Sequence, residues 1–304
     1  MKGRQVAADS KGASTPRWAA YLIMPIAPLC WGGNIVLARG VADLIPPVAF
    51  AFWRWTAALV ILLPLAWPQV RRDWPLAVKG WKIFLALGLT GIASFNTLLY
   101  KAVHTTTAIN GALIQTTMPG FIILMSLVFF REKISLRQFV GAAACVVGAA
   151  LVVLHGRLES LVRLQMVPGD LLMMVAVVLY GIYSLLLWRR PPVHPLSLMV
   201  FTFAIGAAAL LPLYIWELTA VGPFSLNRQV VFSIGYVALF PSIVAYFCWN
   251  RGIDLIGPNR GGLFICLIPV FASALAILFL GETLRAYHLT GMLIILAGMV
   301  VFSR

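Results

Sequence analysis

Five patterns in this sequence set polar or aromatic side chains on shared helical faces within apolar stretches, and a lone arginine makes a sixth candidate. Trp31 precedes Asn34 by three residues, and Asn96 precedes Tyr100 by four. Tyr180, Ser184 and Trp188 run at i, i+4, i+8, and so do Ser242, Tyr246 and Asn250. Gln115 leads Thr116, Thr117 and then Pro119, and Arg54 stands alone in "FWRW". Residues three or four apart meet on one side of a helix. Amides, hydroxyls and aromatic rings bind reversibly, by hydrogen bonds and stacking. A covalent mechanism would need a Ser/His pair, an Asp dyad or a metal-ligand set in the same environment. No such set occurs in the apolar stretches; His104, His155 and His194 lie outside them and His288 lies at the start of the last. No catalytic residue, cofactor or metal is therefore assigned.

Two roles compete for these faces. Polar groups inside a membrane turn toward the bundle interior or a wet cavity, so Trp31, Asn34, Asn96, Tyr100, Gln115, Tyr180, Ser184, Trp188, Tyr246 and Asn250 are candidate substrate-binding residues around one central cavity. The same groups also serve as interhelical hydrogen bonds, and Trp188 equally suits a membrane interface. Arg54 lies about 12 Å into its span by helical rise, where an unpaired charge costs at least about 2.5–3.5 kcal/mol. It must therefore find partners, either carbonyls and polar groups on neighbouring helices or a substrate carboxylate. Pro119 and Pro269 free backbone polar groups within their spans. Glu132 and Glu282 oppose the dipole at helix C-termini, which favours salt bridges with Lys133, Arg137 or Arg285 over proton carriage.

The elements that carry these residues follow from composition. Apolar residues make up 62% of the chain and charged residues 11%, against roughly 45–50% and about 25% in soluble domains. Apolar runs long enough to cross a hydrocarbon core of roughly 30 Å recur throughout. The expected fold is all-α, a polytopic membrane protein with spans near residues 20–39, 46–67, 82–103, 107–130, 135–154, 169–188, 195–216, 229–250, 258–280 and 285–302. Cys30, Cys145, Cys248 and Cys266 sit inside these runs as packing residues. Trp67, Trp74 and Trp81, seven apart among basic residues, read as an interfacial segment.

The net charge of +14 is not a nucleic-acid signal, because the basic residues lie between the spans. With the N-terminus inside, 16 Lys and Arg fall in cytoplasmic segments and six in external ones, Arg54 being the remaining one of 23. The positive-inside rule then places both termini in the cytoplasm. The expected partners are the lipid bilayer and a small molecule; the expected location is the inner (plasma) membrane. The first apolar run is full length, with no cleavage site before it, so no removable signal peptide is expected.

Residues 107–154 align with 257–304 without gaps at eight identities, five of them Gly, Pro or Glu: Gly111/Gly261, Pro119/Pro269, Glu132/Glu282, Gly141/Gly291 and Gly148/Gly298. A second echo pairs Trp31 with Tyr180 and Gly32 with Gly181. Five spans per copy is an odd number, so the second copy must enter the membrane upside down. The expected division is a tail at 1–18, a first five-helix repeat at 19–154, a linker at 155–168 and a second repeat at 169–304. Inverted repeats place substrate sites near the midplane and work by alternating access. Gly141 and Gly148, with Gly291 and Gly298, permit close helix approach, more readily within a monomer than between chains.

"CWGGN" in the first span, "FWRW" in the second, Pro119 to Glu132, "GETL" after the ninth and a Gly-rich tenth resemble the ten-helix, EamA-like branch of the drug/metabolite transporter superfamily. The resemblance covers essentially the whole chain. Within that branch the chain is similar to exporters associated with aromatic amino acids. It implies export of aromatic or broadly neutral amino acids, or of similar small metabolites; nucleotide sugars and cationic drugs are the alternative cargoes. Nucleotide sugars would want several basic residues at the cavity, and Arg54 alone is available. A small-multidrug pump would need a first-span glutamate, which this chain lacks.

Overall fold

The computed structural model describes residues 18–105, 114, 115, 117, 118, 121, 122, 125, 135–153, 168–280 and 286–303. The described residues are helical throughout, with turns between. Six of the described helices are long and apolar enough to cross a membrane. Helix α1 comprises Ala19–Ile23 and Ile26–Gly40, broken where Pro25 cannot donate a backbone bond. Next come α2, Pro47–Lys79, and α3, built from Trp81–Leu87, a π-helical turn Gly88–Ser94, and Phe95–Ala102. Then follow α4, Leu136–Val153, α5, Pro168–Trp188, and α6, Pro195–Val221.

Helix α7 runs from Arg228–Ala238 through a second π-turn, Leu239–Val244, to residue 256. There Gly257, at φ 81°, breaks the chain in a conformation that only glycine adopts freely. Helix α8 takes up residues 258–262, a 3₁₀ turn Leu263–Leu267 and Ile268–Leu280. Helix α9 is Ala286–Ser303.

The second helix differs from its expected end near residue 67. It continues to Lys79 through Pro64, Pro68 and Pro75, so the Trp67, Trp74, Trp81 segment is helical up to Lys79. All three indoles are more than half exposed; Trp67 and Trp74, seven apart, share one face of α2, and Trp81 opens α3.

The main helix pairings join one half of the chain to the other: α4 with α9, α2 with α6, α3 with α5, and α1 with both α7 and α8. The repeat is inverted in its packing. A Cβ on Gly141 would meet the Gly298 carbonyl at 2.7 Å, and one on Gly148 would meet the Gly291 carbonyl at 2.8 Å. Gly141 corresponds to Gly291 and Gly148 to Gly298, so equivalent residues make reciprocal contacts along antiparallel helices. This is the signature of a two-fold axis perpendicular to them. Without a hydrophobic force between helices in lipid, such close backbone contact is a main source of cohesion. The two π-turns obey the same symmetry, both ending 150 residues apart at Ser94 and Val244.

Helices α2 and α6 also hold each other's first turns. Buried Glu217, near the end of α6, accepts from the Val48 and Ala49 amides at 3.1 and 2.6 Å. Buried Asp73, near the end of α2, accepts from the His194 amide at 2.7 Å, just before α6 begins. Each carboxylate satisfies first-turn donors that a helix leaves unpaired and meets the positive end of a dipole. Replacing Glu217 by alanine should therefore cost about 1–3 kcal/mol, seen as a lower melting temperature in detergent. Glu217→Gln, with one acceptor left, should lose less.

Candidate functional site

The two π-turns organise the centre of the bundle. A π-turn shifts the i→i−4 ladder and releases carbonyl groups, and such turns recur at functional sites. In α7 the freed carbonyl is that of Pro241. It accepts from Trp31 Nε1 at 3.1 Å and from Arg54 Nη2 at 3.0 Å. In α3 it is that of Gly91, which accepts from the Tyr246 hydroxyl at 2.5 Å. Gly91 and Pro241 are 150 residues apart, so the equivalent carbonyl of each half is bonded by a side chain of the other.

Arg54 is fully buried. Its Nε donates to Ser242 Oγ at 2.6 Å, and its Nη1 donates to Asn96 Oδ1 at 2.6 Å and to the Tyr100 hydroxyl at 2.7 Å. The guanidinium carbon also lies 4.6 Å from the centroid of the Trp55 ring. These partners are all uncharged, and no salt bridge to Arg54 occurs among the described residues. The planar fork suits this arrangement, because its donors diverge in fixed directions. The sequence question about Arg54 thus has a geometric answer. It ties α2 to α3 and to the π-turn of α7, and it does not itself line the central cavity.

A second, symmetric layer of bonds follows. Tyr100 donates to Asn34 Oδ1 at 3.0 Å, joining α3 to α1. Tyr183 donates to Asn250 Oδ1 at 2.7 Å, joining α5 to α7. Asn34 corresponds to Tyr183 by the 149-residue offset that pairs Trp31 with Tyr180, and Tyr100 corresponds to Asn250 at 150. The same bond therefore occurs in both halves with its two residues exchanged.

The cavity lies in front of this network. Trp31, Asn34, Asn96, Gln115 and Tyr180 all line it, and apolar Phe95, Met118 and Ile268 close its walls. Its volume is about 10 Å³, room for roughly one water molecule. An aromatic cluster surrounds Trp31, whose ring centroid lies 5.2 Å from Trp249, 5.6 Å from Tyr180 and 6.1 Å from Tyr246. The lining thus sets aromatic rings beside amide groups.

The other expected positions divide. Tyr100, Tyr246 and Asn250 are buried behind the lining as hydrogen-bond partners. Ser184 is buried, with an unpartnered hydroxyl. Trp188 is 44% exposed at the end of α5, beside Gly257 and away from the cavity. Pro269 sits in the first turn of the Ile268–Leu280 segment of α8, next to cavity-lining Ile268. Pro119, Glu132 and Glu282 lie outside the described residues. The sequence patterns missed Tyr183 and Trp249; extending the repeat offset from Trp31 to Asn34 points directly to Tyr183. They also missed Phe95, Met118 and Ile268, because an apolar residue on a cavity wall looks like any other in an oily helix.

The end of α5 carries one further tie. Arg190 donates to Asp254 through two parallel hydrogen bonds of 2.6 Å each, a bidentate salt bridge that closes α5 against α7.

The sequence pattern described as the EamA-like transporter family matches residues 18–154 and again residues 167–304. The transporter YyaM of Bacillus subtilis is 27% identical over 286 residues, 93% of each chain. A probable terminal-alkyne amino-acid exporter of Streptantibioticus cattleyicolor is 24% identical over 293 residues, covering 94% of this chain and 93% of its own. A solved crystal structure, 18% identical, superposes with a TM-score of 0.72 over 94% of this chain and 97% of the other, which shows a shared fold.

Proposed function

Because this chain belongs to the EamA-like transporter family, and is a membrane transporter rather than an enzyme, we propose that its cargo is an amino acid with an aromatic or neutral side chain, exported by alternating access. The observation that carries this reading is the composition of the central cavity: amides of Asn34 and Asn96 beside the rings of Trp31 and Tyr180, at the junction of two inverted halves. The rings suit an apolar side chain and the amides suit an amino-acid backbone. The name of the Streptantibioticus relative, an amino-acid exporter, points the same way.

Two other cargoes fit less well. A nucleotide sugar would need several cations at the cavity, and the one buried at its back is already bonded to four neutral acceptors. A cationic drug would need a carboxylate there, and none lines the cavity among the described residues. We place the protein in the inner membrane as a monomer with both termini cytoplasmic, following the distribution of basic residues. In that orientation the Arg190–Asp254 bridge closes the cytoplasmic end.

The deciding experiment is reconstitution of the purified protein in liposomes with a panel of labelled amino acids, with and without a proton gradient. Aromatic and large neutral amino acids should move at least tenfold faster than in protein-free vesicles. Movement of none of them would overturn the reading.

A further inference from the structure

The hydrogen bonds around Arg54 have a direction, and it reaches the cavity. A guanidinium can only donate, so the atom of Asn96 that meets Arg54 is its amide oxygen. Tyr100 accepts from Arg54 and passes its single proton to Asn34, so the atom of Asn34 that meets Tyr100 is also oxygen. Both amide oxygens are thus turned away, toward the cation. Both residues line the cavity, and what each has left to offer is its NH₂ group. The Asn96 NH₂ makes one long contact, 3.5 Å to the Tyr246 hydroxyl. The network itself thereby settles an oxygen/nitrogen assignment that geometry of the amide alone leaves open.

A second observation points to a ligand in the same place. The Tyr180 hydroxyl is buried with no hydrogen-bond partner, and Tyr180 lines the cavity opposite. A buried polar atom without a partner destabilises the structure, and a ligand atom bonded to it would remove that cost. The electrostatics agree. Among the described residues, Arg54 is a buried cation with no carboxylate bonded to it, and no acid lines the cavity. A low-dielectric wall carrying an uncompensated positive charge favours an anion in front of it.

We propose that Asn34 and Asn96 form a hydrogen-bond donor site for the carboxylate of the cargo, with Arg54 as the positioning residue that turns both amides toward it. The assignment of that carboxylate to an amino acid rests on the proposed function; the donor character of the site does not. The recognised class is a carboxylate attached to an apolar or aromatic body. An ammonium group without a carboxylate is disfavoured, because it offers only donors to the two NH₂ groups and stands before a buried cation.

The test uses the full chain in nanodiscs and reads tryptophan fluorescence, since Trp31 lines the cavity and Trp249 packs against it. Four probes share one ring: phenylalanine, phenylpropionate without the ammonium group, and phenylalaninamide and phenethylamine without the carboxylate. The two acids should bind at least tenfold more tightly than the amide and the amine. Asn34→Asp and Asn96→Asp keep the oxygen that Tyr100 or Arg54 needs but replace the NH₂ group by a second oxygen, so each should weaken phenylpropionate binding at least tenfold. Equal or tighter binding of phenethylamine overturns the proposal, as does binding of none of the four. The wild-type series decides the matter even if a variant fails to fold. Phenylpropionate binding with the expected preference, but no amino-acid transport, would leave the donor site standing and remove the amino-acid exporter. Amino-acid transport without carboxylate preference would do the reverse.

Discussion

Arg54→Leu should abolish transport and sharply lower the yield of folded protein. The side chain makes four hydrogen bonds of 2.6–3.0 Å to groups on α3 and α7. Bonds to a charged group are worth about 1.5–3 kcal/mol each, but the loss is smaller than four times that. Ser242 still donates to the Val237 carbonyl, Tyr100 still donates to Asn34, and the Pro241 carbonyl keeps Trp31. Asn96 Oδ1 alone is stranded, at about 1–3 kcal/mol. Removing the buried charge also refunds part of its desolvation, so the net loss should be on the order of 2–4 kcal/mol. That is a large part of typical stability. Arg54→Lys separates the contributions. It keeps the charge but replaces a planar fork by a point, so folding should survive while transport falls at least tenfold. Size-exclusion profiles in detergent measure the first and liposome flux the second; wild-type values of both in Arg54→Leu would show that the network is dispensable.

The second large effect belongs to the α4–α9 interface. A Cβ on Gly298 would lie 2.7 Å from the Gly141 carbonyl and 2.9 Å from the Cys145 amide nitrogen. Both are backbone atoms of the opposite helix, so no side-chain rotation relieves the clash, and the helices must separate by about an ångström or more. Separation forfeits dispersion along the whole contact, because a radial gap of 0.5–1 Å already loses a quarter to a half of each pair's attraction. Gly298→Leu should therefore leave little folded protein, while Gly298→Ala should fold with a reduced melting temperature. Gly40, which has nothing within 4 Å of its Cβ position, is the control: Gly40→Ala should behave as wild type. Normal yield of Gly298→Leu would place the cohesion of the two halves elsewhere.

These two sites were legible in the sequence to different degrees. The glycines at 141, 148, 291 and 298 were visible as a repeat, and the structure shows a backbone carbonyl of the opposite helix within 3 Å of the Cβ position at 141, 148 and 298. Arg54 announced itself by the cost of a charge at that depth, but its partners did not. Ser242 lies 188 residues away and the Pro241 carbonyl 187, and no local spacing encodes contacts of that range. The π-turns were equally hidden, since an i→i+5 bond leaves no mark on the alternation of side chains. Helix α2 was cut short for the opposite reason. Pro68 and the charged residues from Arg71 onward read as a break, yet neighbouring groups in a bundle can satisfy the carbonyls that proline releases. Asn34, Asn96 and Tyr180 were found because a polar group in an apolar run is conspicuous; the direction in which the amides point depends on Arg54, and only coordinates reveal it.

The exchanged bond, Asn34 with Tyr100 in one half and Tyr183 with Asn250 in the other, also bears on descent. A newly duplicated chain would have carried the same pair twice. Exchanging the pair takes two substitutions, both in one half or one in each, through an arrangement with either two asparagines or two tyrosines. Both intermediates can still form a bond between the helices, so the path need not have crossed an unfolded ancestor. Its outcome is that two backbones related by near symmetry no longer offer the same chemistry.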